Sequence, residues 1–282
     1  MPGSGLVRLR LDLGYEGAGF HGWARQPGRR TVEDVLLGAL RTSMRLAESP
    51  TVVVAGRTDS GVHARGQVVH VDVPNGAWDG RGDHLLARLR GLLPSDVRVM
   101  AVGDAPGGFD ARYSALWRRY SYTLCDRLGG VDPLRRRDVV VRRRWLDVER
   151  MNAAAQPLLG EHDFLAFCRP RQGASTIREL RELAWAREGD LVRAEVVADA
   201  FCHRMVRSLV GAVVAVGEGR RSVVWPSEVL HAVARNPEVL VMPAHGLVLE
   251  AVGYPPDEQL ADRARRARVF RGSAARSGEP AP

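Results

Sequence analysis

The sequence predicts an α/β protein, more narrowly α+β, built as two domains of the same general plan. Three observations carry this expectation. Segments with strand and helix periodicity follow the order β-α-β-β-α-β. A comparable order returns in the second half, and the chain is rich in arginine. With 282 residues, 45% of them hydrophobic, the chain can bury one large core or two modest ones, and surface-to-volume scaling favours two.

Residues 6–13 alternate Val7, Leu9 and Leu11 with Arg8, Arg10 and Asp12, the pattern of a half-buried strand. Residues 31–46 read as an amphipathic helix: Thr31 can cap it, acidic residues occupy its first turn, and Val32, Val35, Leu36, Ala39 and Leu40 repeat at helical spacing. Short apolar strands are expected over 52–55 and 67–73. A helix over 83–93 stops before Pro94, and a strand follows over 97–102. In the second half, alternating aromatics predict a strand over 119–125, and Asp147 opens a helix over 147–158. Strands over 177–186 and 191–198 flank the turn Glu188-Gly189-Asp190. Helices are expected over 201–216 and 226–234, and a last strand over 247–252. The Gly/Pro-rich stretch 103–110 is the expected join, giving domains over 1–105 and 106–256. Residues 257–282 are polar, basic and then Gly/Ser/Pro-rich, and read as a disordered tail.

No apolar run approaches the ~20 residues needed to cross a bilayer. The first residues lack the basic and apolar regions of a signal peptide. Cys125, Cys168 and Cys202 support neither a disulfide framework nor a Cys-x-x-Cys metal site, so a reducing cytoplasm is expected. Lys plus Arg exceeds Asp plus Glu by 41 − 33 = 8. Arginines cluster at Arg118-Arg119, 135–137, 142–144, Arg220-Arg221 and within 263–268. The flat donor fork of arginine suits phosphate and stacks on bases, so a polyanionic partner is the better reading than a merely solvated face.

Gly17-Ala18-Gly19-Phe20-His21-Gly22 satisfies the dinucleotide fingerprint G-x-G-x-x-G. However, Pro27, Gly28 and two arginines intervene before a helix can open, so no helix N-terminus lies under a pyrophosphate. These glycines instead let a loop bearing His21, Trp23, Arg25 and Gln26 bend close to a polyanion. Asp59-Ser60-Gly61 matches the aspartic-protease triplet, but that chemistry needs two carboxylates sharing a proton, and only one triplet is present. Taken by itself the triplet reads as a turn. Taken with its flanks, it presents one carboxylate at a sheet edge, where Arg57 can share its face and favour an ionised nucleophile. His63 reads as a buried structural histidine bonded to backbone. His162, Cys168, Cys202 and His203 have no recognised metal-ligand spacing.

Gly56-Arg57-Thr58-Asp59-Ser60-Gly61-Val62-His63-Ala64, followed by Gly66-Gln67-Val68-Val69-His70, resembles the signature of the tRNA pseudouridine synthase A (TruA) family. Further blocks agree in order. They are Tyr15-Glu16-Gly17 with His21-Gly22-Trp23-Ala24-Arg25-Gln26, and Phe109 to Ala115 leading to Arg119-Tyr120-Ser121-Tyr122. Gly160 to Phe164, Phe201 to Arg207 with Gly211, and Pro243 to Leu247 with Leu249 follow. The resemblance covers nearly the whole chain apart from its tail. It implies isomerisation of uridine to pseudouridine in the anticodon stem-loop of tRNA, at positions 38 to 40, by a homodimer with no cofactor and no metal. It further implies Asp59 as the catalytic carboxylate, Arg207 as the partner holding it charged, and Arg57 as support for the loop. Tyr120 would lie against the target base and help take its C5 proton, with Leu247 on the other side of the ring. Arg25 and His21 would contact the RNA. Leu116-Trp117 and the very basic 135–144 stretch depart from the family pattern.

Overall fold

The computed structural model describes residues 5–169, 175–232 and 236–268. The first half runs β1 (Leu6–Tyr15), α1 (Val32–Ser43), β2 (Val52–Val54), β3 (His63–Pro74), α2 (Gly82–Leu92) and β4 (Val97–Asp104). The second runs β5 (Trp117–Cys125), β6 (Val140–Val141), α3 (Val148–Ala155), β7 (Gly160–Asp163), β8 (Ile177–Glu188), β9 (Leu191–Ala198), α4 (Met205–Gly217), α5 (Trp225–Leu230), β10 (Leu247–Gly253) and α6 (Leu260–Ala267). The described strands form one sheet in the order β4-β1-β3-β10-β5-β9-β8-β7, with β2 beside β3 and β6 beside β5. The run β4-β1-β3-β2 is repeated by β10-β5-β9-β8, so both halves share one strand order. They meet where β10 lies parallel to β3 through Val248 opposite His63 and Leu249 opposite Ala64.

Period-two alternation decides which side of each strand meets the core. Leu9, Leu11 and Leu13 of β1 are fully buried in the main apolar cluster. The intervening Arg8 and Arg10 face the other way. Arg8 bonds Asp72 on β3 and the Phe109 carbonyl, while the Arg10 guanidinium lies over the Phe109 and Tyr254 rings. α1 is capped as expected, Thr31 Oγ1 accepting from the Asp34 amide, and Asp147 caps α3 by accepting from Arg150.

Two expectations are corrected. The helix predicted from residue 201 begins only at Met205, because Arg204 stands at φ 69°, a left-handed conformation that cannot continue into residues 201–203 as α-helix. Residues 257–268 are not a disordered tail. Leu260 and Ala264, one helical turn apart in an otherwise charged segment, are buried on α6. Leu260 joins Ala55, Val68, Phe109 and Ala111 in a second small cluster, and its carbonyl accepts from Ser114 Oγ at 3.0 Å. The rest of that tail, and residues 233 and 234 of the expected 226–234 helix, lie outside the described residues. Among the described residues no helix is long and apolar enough to cross a membrane.

Candidate active site

The segment between β2 and β3 carries Asp59, and its backbone is held from below by the loop after β1. Trp23 N donates to the Thr58 carbonyl at 3.0 Å, while Gly61 N and Ser60 Oγ both donate to the Phe20 carbonyl. Val62 N closes the turn onto the Asp59 carbonyl at 3.2 Å. Gly22 and Gly17 permit this stacking: a Cβ on Gly22 would stand 2.9 Å from the Thr58 oxygen, and one on Gly17 2.0 Å from the Val62 oxygen. Two of the three glycines of the rejected dinucleotide fingerprint, Gly17 and Gly22, therefore seat the Asp59 loop. Buried polar groups complete the mount. Tyr15 OH meets Thr58 Oγ1 at 2.7 Å, and Gln67 Nε2 donates both to Tyr15 OH and to the Gly56 carbonyl. Burial pushes the Tyr15 hydroxyl up to about 12, against the bonds to Thr58 and Gln67, so it serves as a neutral strut.

Asp59 itself is 28% exposed and meets two cations or potential cations. Arg207 Nη1 lies 3.4 Å from Oδ2, and His203 Nε2 lies 3.4 Å from Oδ1. Every residue of α4 is buried except Arg207, which makes that arginine the one charged residue of an otherwise largely apolar helix. Its Nε donates to the Met242 carbonyl at 2.6 Å, so the guanidinium is anchored before it reaches the carboxylate. Tyr120, on β5, is buried, with Phe201 packed edge-on at 5.2 Å. Burial drives its hydroxyl well above the usual phenol range, and nearby Tyr15 and Asp59 add to this while Arg118 opposes it.

The structure thus brings together Asp59, Arg207 and Tyr120, residues drawn from three distant parts of the chain. Arg57 takes no part in the ion pairs of Asp59 and is exposed, which corrects the expectation that it shares the face of that carboxylate. An extended strand would have aligned them, but β2 ends at Val54 and the chain is already turning. Leu247 is buried two residues along β10 from Leu249. Leu249 stands opposite Tyr120 in the sheet, whereas Leu247 stands opposite Tyr122. His21 and Arg25 are exposed on the loop that stacks under Asp59. His21 Nε2 lies 3.2 Å from Arg29, and Arg25 pairs with Asp34 at 3.0 Å. Arg25, Gln26, Pro27, Gly28, Arg29 and Asp34 line an open depression of about 600 Å³. His63 is the structural histidine expected: Gly17 N donates to its Nδ1 and its Nε2 meets the Arg137 carbonyl. His203 is the contact that sequence reasoning missed. Among the described residues no cluster of three or more metal-ligating side chains occurs.

Many of the clustered arginines serve the fold. Arg118 is buried and donates to the carbonyls of Asp199, Ala55 and Arg112. Arg142 and Arg220 converge on buried Glu218, Arg135 pairs with Asp138, Arg137 with Glu16, and Arg268 with Asp110. The net excess of 8 positive charges remains, but its bearers are fewer than the clusters suggest.

Comparison with known proteins shows which family the chain resembles. Residues 154–255 match the family model described as tRNA pseudouridine synthase. A tRNA pseudouridine synthase A of Streptomyces griseus is 54% identical over 95% of this chain and 95% of its own. Those of Frankia casuarinae and Mycobacterium leprae are 56% and 49% identical, each over 95% of this chain and 96% of theirs. Identity at this level over nearly the full length establishes that the chain belongs to the tRNA pseudouridine synthase A family.

Proposed function

We propose that this chain isomerises uridine to pseudouridine in the anticodon stem-loop of tRNA, at positions 38 to 40, with Asp59 as the attacking carboxylate. The observation that carries the reading is one carboxylate on a rigidly mounted loop, with Arg207 at one oxygen and the Tyr120 ring nearby. The reaction breaks the bond from uracil N1 to ribose C1′ and makes one from C5 to C1′. N1 gains a proton and C5 loses one, so no redox partner is needed. Asp59 either attacks C1′ or removes a ribose proton to give a glycal; both routes use the carboxylate form. Tyr120 and Leu247 enclose the uracil ring between apolar surfaces, which keeps the detached base from escaping. With its hydroxyl raised by burial, Tyr120 is a neutral phenol at physiological pH, so any part it takes in removing the C5 proton requires it to release its own.

The target uridine has to leave its stack, at a cost of a few kcal/mol. Phosphate contacts from His21, Arg25 and exposed arginines offset that cost and recognise RNA shape more than sequence. The same reading takes the protein as a cytoplasmic homodimer, its protomer divided near residue 105 into two domains with a basic cleft between them. Arg57, turned to the exposed side of the loop, supports that loop and the RNA beside it.

The test is pseudouridine mapping on tRNA incubated with wild-type and Asp59→Ala protein. Wild type converts uridines of the anticodon stem-loop, and Asp59→Ala converts none while still binding tRNA. A wild-type protein that leaves every such uridine unchanged refutes the assignment.

A further inference from the structure

We infer that His203 is a positioning residue for this reaction, holding the plane of the Asp59 carboxylate through a second contact at Oδ1. The inference rests on the reading of Asp59 as the attacking group. Arg207 reaches Asp59 through Nη1 alone, at 3.4 Å from Oδ2, because its Nε is committed to the Met242 carbonyl. A single contact leaves the carboxylate free to turn about its terminal bond, a torsion with broad minima. Attack at C1′, like removal of a ribose proton, needs one oxygen lone pair aimed at one atom. His203 Nε2, 3.4 Å from Oδ1, supplies the second point that defines the plane. An imidazole protonated at Nε2 donates to Oδ1 while Arg207 donates to Oδ2. Both separations sit at the long edge of a hydrogen bond, as is common before substrate tightens a site.

The surrounding backbone is arranged to deliver this ring. Arg204 adopts φ 69°, which side chains other than Gly, Asn and Asp seldom do. That reversal ends the approach segment at His203 and starts α4 in time for Arg207 to face the same carboxylate. The His203 carbonyl accepts from Arg169 N at 3.0 Å, and Met205 N closes the turn onto the Cys202 carbonyl at 3.1 Å. Upstream, one buried guanidinium sets the spacing between the two segments. Arg118 donates to the Asp199 carbonyl at 2.6 Å and to the Ala55 carbonyl at 2.9 Å, four residues before His203 and four before Asp59.

The experiment compares His203→Gln with His203→Leu in the full chain, measuring single-turnover pseudouridine formation and tRNA binding, with Asp59→Ala in parallel. The two replacements are of similar size, but only glutamine can place an N–H near Oδ1. We expect His203→Leu to lose about 10²-fold in rate and His203→Gln to stay within about tenfold of wild type. Affinity for tRNA should stay within about twofold for both. A role in packing alone would affect the two alike, so equal rates for Gln and Leu overturn the inference. If Asp59→Ala is inactive while His203→Leu is fully active, the positioning role fails and the Asp59 assignment stands. An active Asp59→Ala refutes both.

Discussion

Replacing Gly22 by alanine tests whether the glycine loop after β1 sets the position of the Asp59 carboxylate. Gly22 stands at φ +90°, and its added Cβ would lie 2.9 Å from Thr58 O, 3.1 Å from Ser60 N and 3.2 Å from the Asp59 carbonyl carbon. Positive φ costs alanine about 1–2 kcal/mol. The contacts must open by about 0.5 Å to reach an ordinary separation, which adds roughly 1 kcal/mol. A misplacement of about 1 Å can cost 10²-fold in rate, so a shift of half that size should cost about tenfold. Gly189, in the turn between β8 and β9, is the control: it stands at φ +59° with nothing within 4 Å of its Cβ position. Gly189→Ala should carry the conformational cost alone and keep the wild-type rate. Urea denaturation would give the two stabilities, and initial rates of pseudouridine formation on tRNA, taken where both variants are fully folded, would give the activities. Gly22→Ala protein that is no less stable than Gly189→Ala and reacts as fast as wild type would refute the argument.

Two further perturbations address the scaffold. Arg118→Met strips a donor from three carbonyls, and orphaned buried acceptors cost about 1–3 kcal/mol each. Part of that is offset because a desolvated charge is also removed, leaving an expected loss of about 2–4 kcal/mol by chemical denaturation. His70 makes stability depend on pH. Burial first, then Arg8, pushes its imidazole down to about 4, with Asp110 and Asp72 opposing, and its Nδ1 accepts from the Ala111 amide at 2.9 Å. Between pH 4 and about 6.5 the unfolded chain binds more protons than the folded one. The contribution is therefore complete above about pH 6.5 and is lost as pH falls toward 4, by about 2 kcal/mol once solvent screening is allowed for. Thermal melts of wild type and His70→Gln across that window should show a steeper fall for wild type, and parallel curves would contradict the assignment.

Much of this fold could be read from residue spacing because long elements repeat their pattern several times. Leu9, Leu11 and Leu13 announce β1, and Leu191–Ala198 matches its predicted bounds to the residue. Short elements offer no such repetition, and the two residues of β6 and four of β7 went unseen. α6 escaped because its burial depends on one pair, Leu260 and Ala264, in a charged segment. At the candidate site, Asp59 stood out only through its neighbours, since the triplet alone described a turn. His203 was hidden for a backbone reason: nothing in an arginine side chain signals the left-handed conformation that Arg204 adopts. The arginine clusters misled in the opposite sense, because adjacency in sequence says nothing of acceptors such as Glu218 folded back against them.

The seam between β3 and β10 has a consequence for how the protein is made. Among the described residues β10 is the last strand synthesised, yet it lies between β3 and β5 in the middle of the sheet. Until it emerges from the ribosome, β3 and β5 each present an open edge, the geometry that invites pairing with other chains. Asp59 is translated 148 residues before Arg207, so a nascent chain carries this carboxylate long before the guanidinium that meets it. Closure of the sheet is therefore a late event, and a chain cut short before Leu247 would keep both edges open and be prone to aggregate.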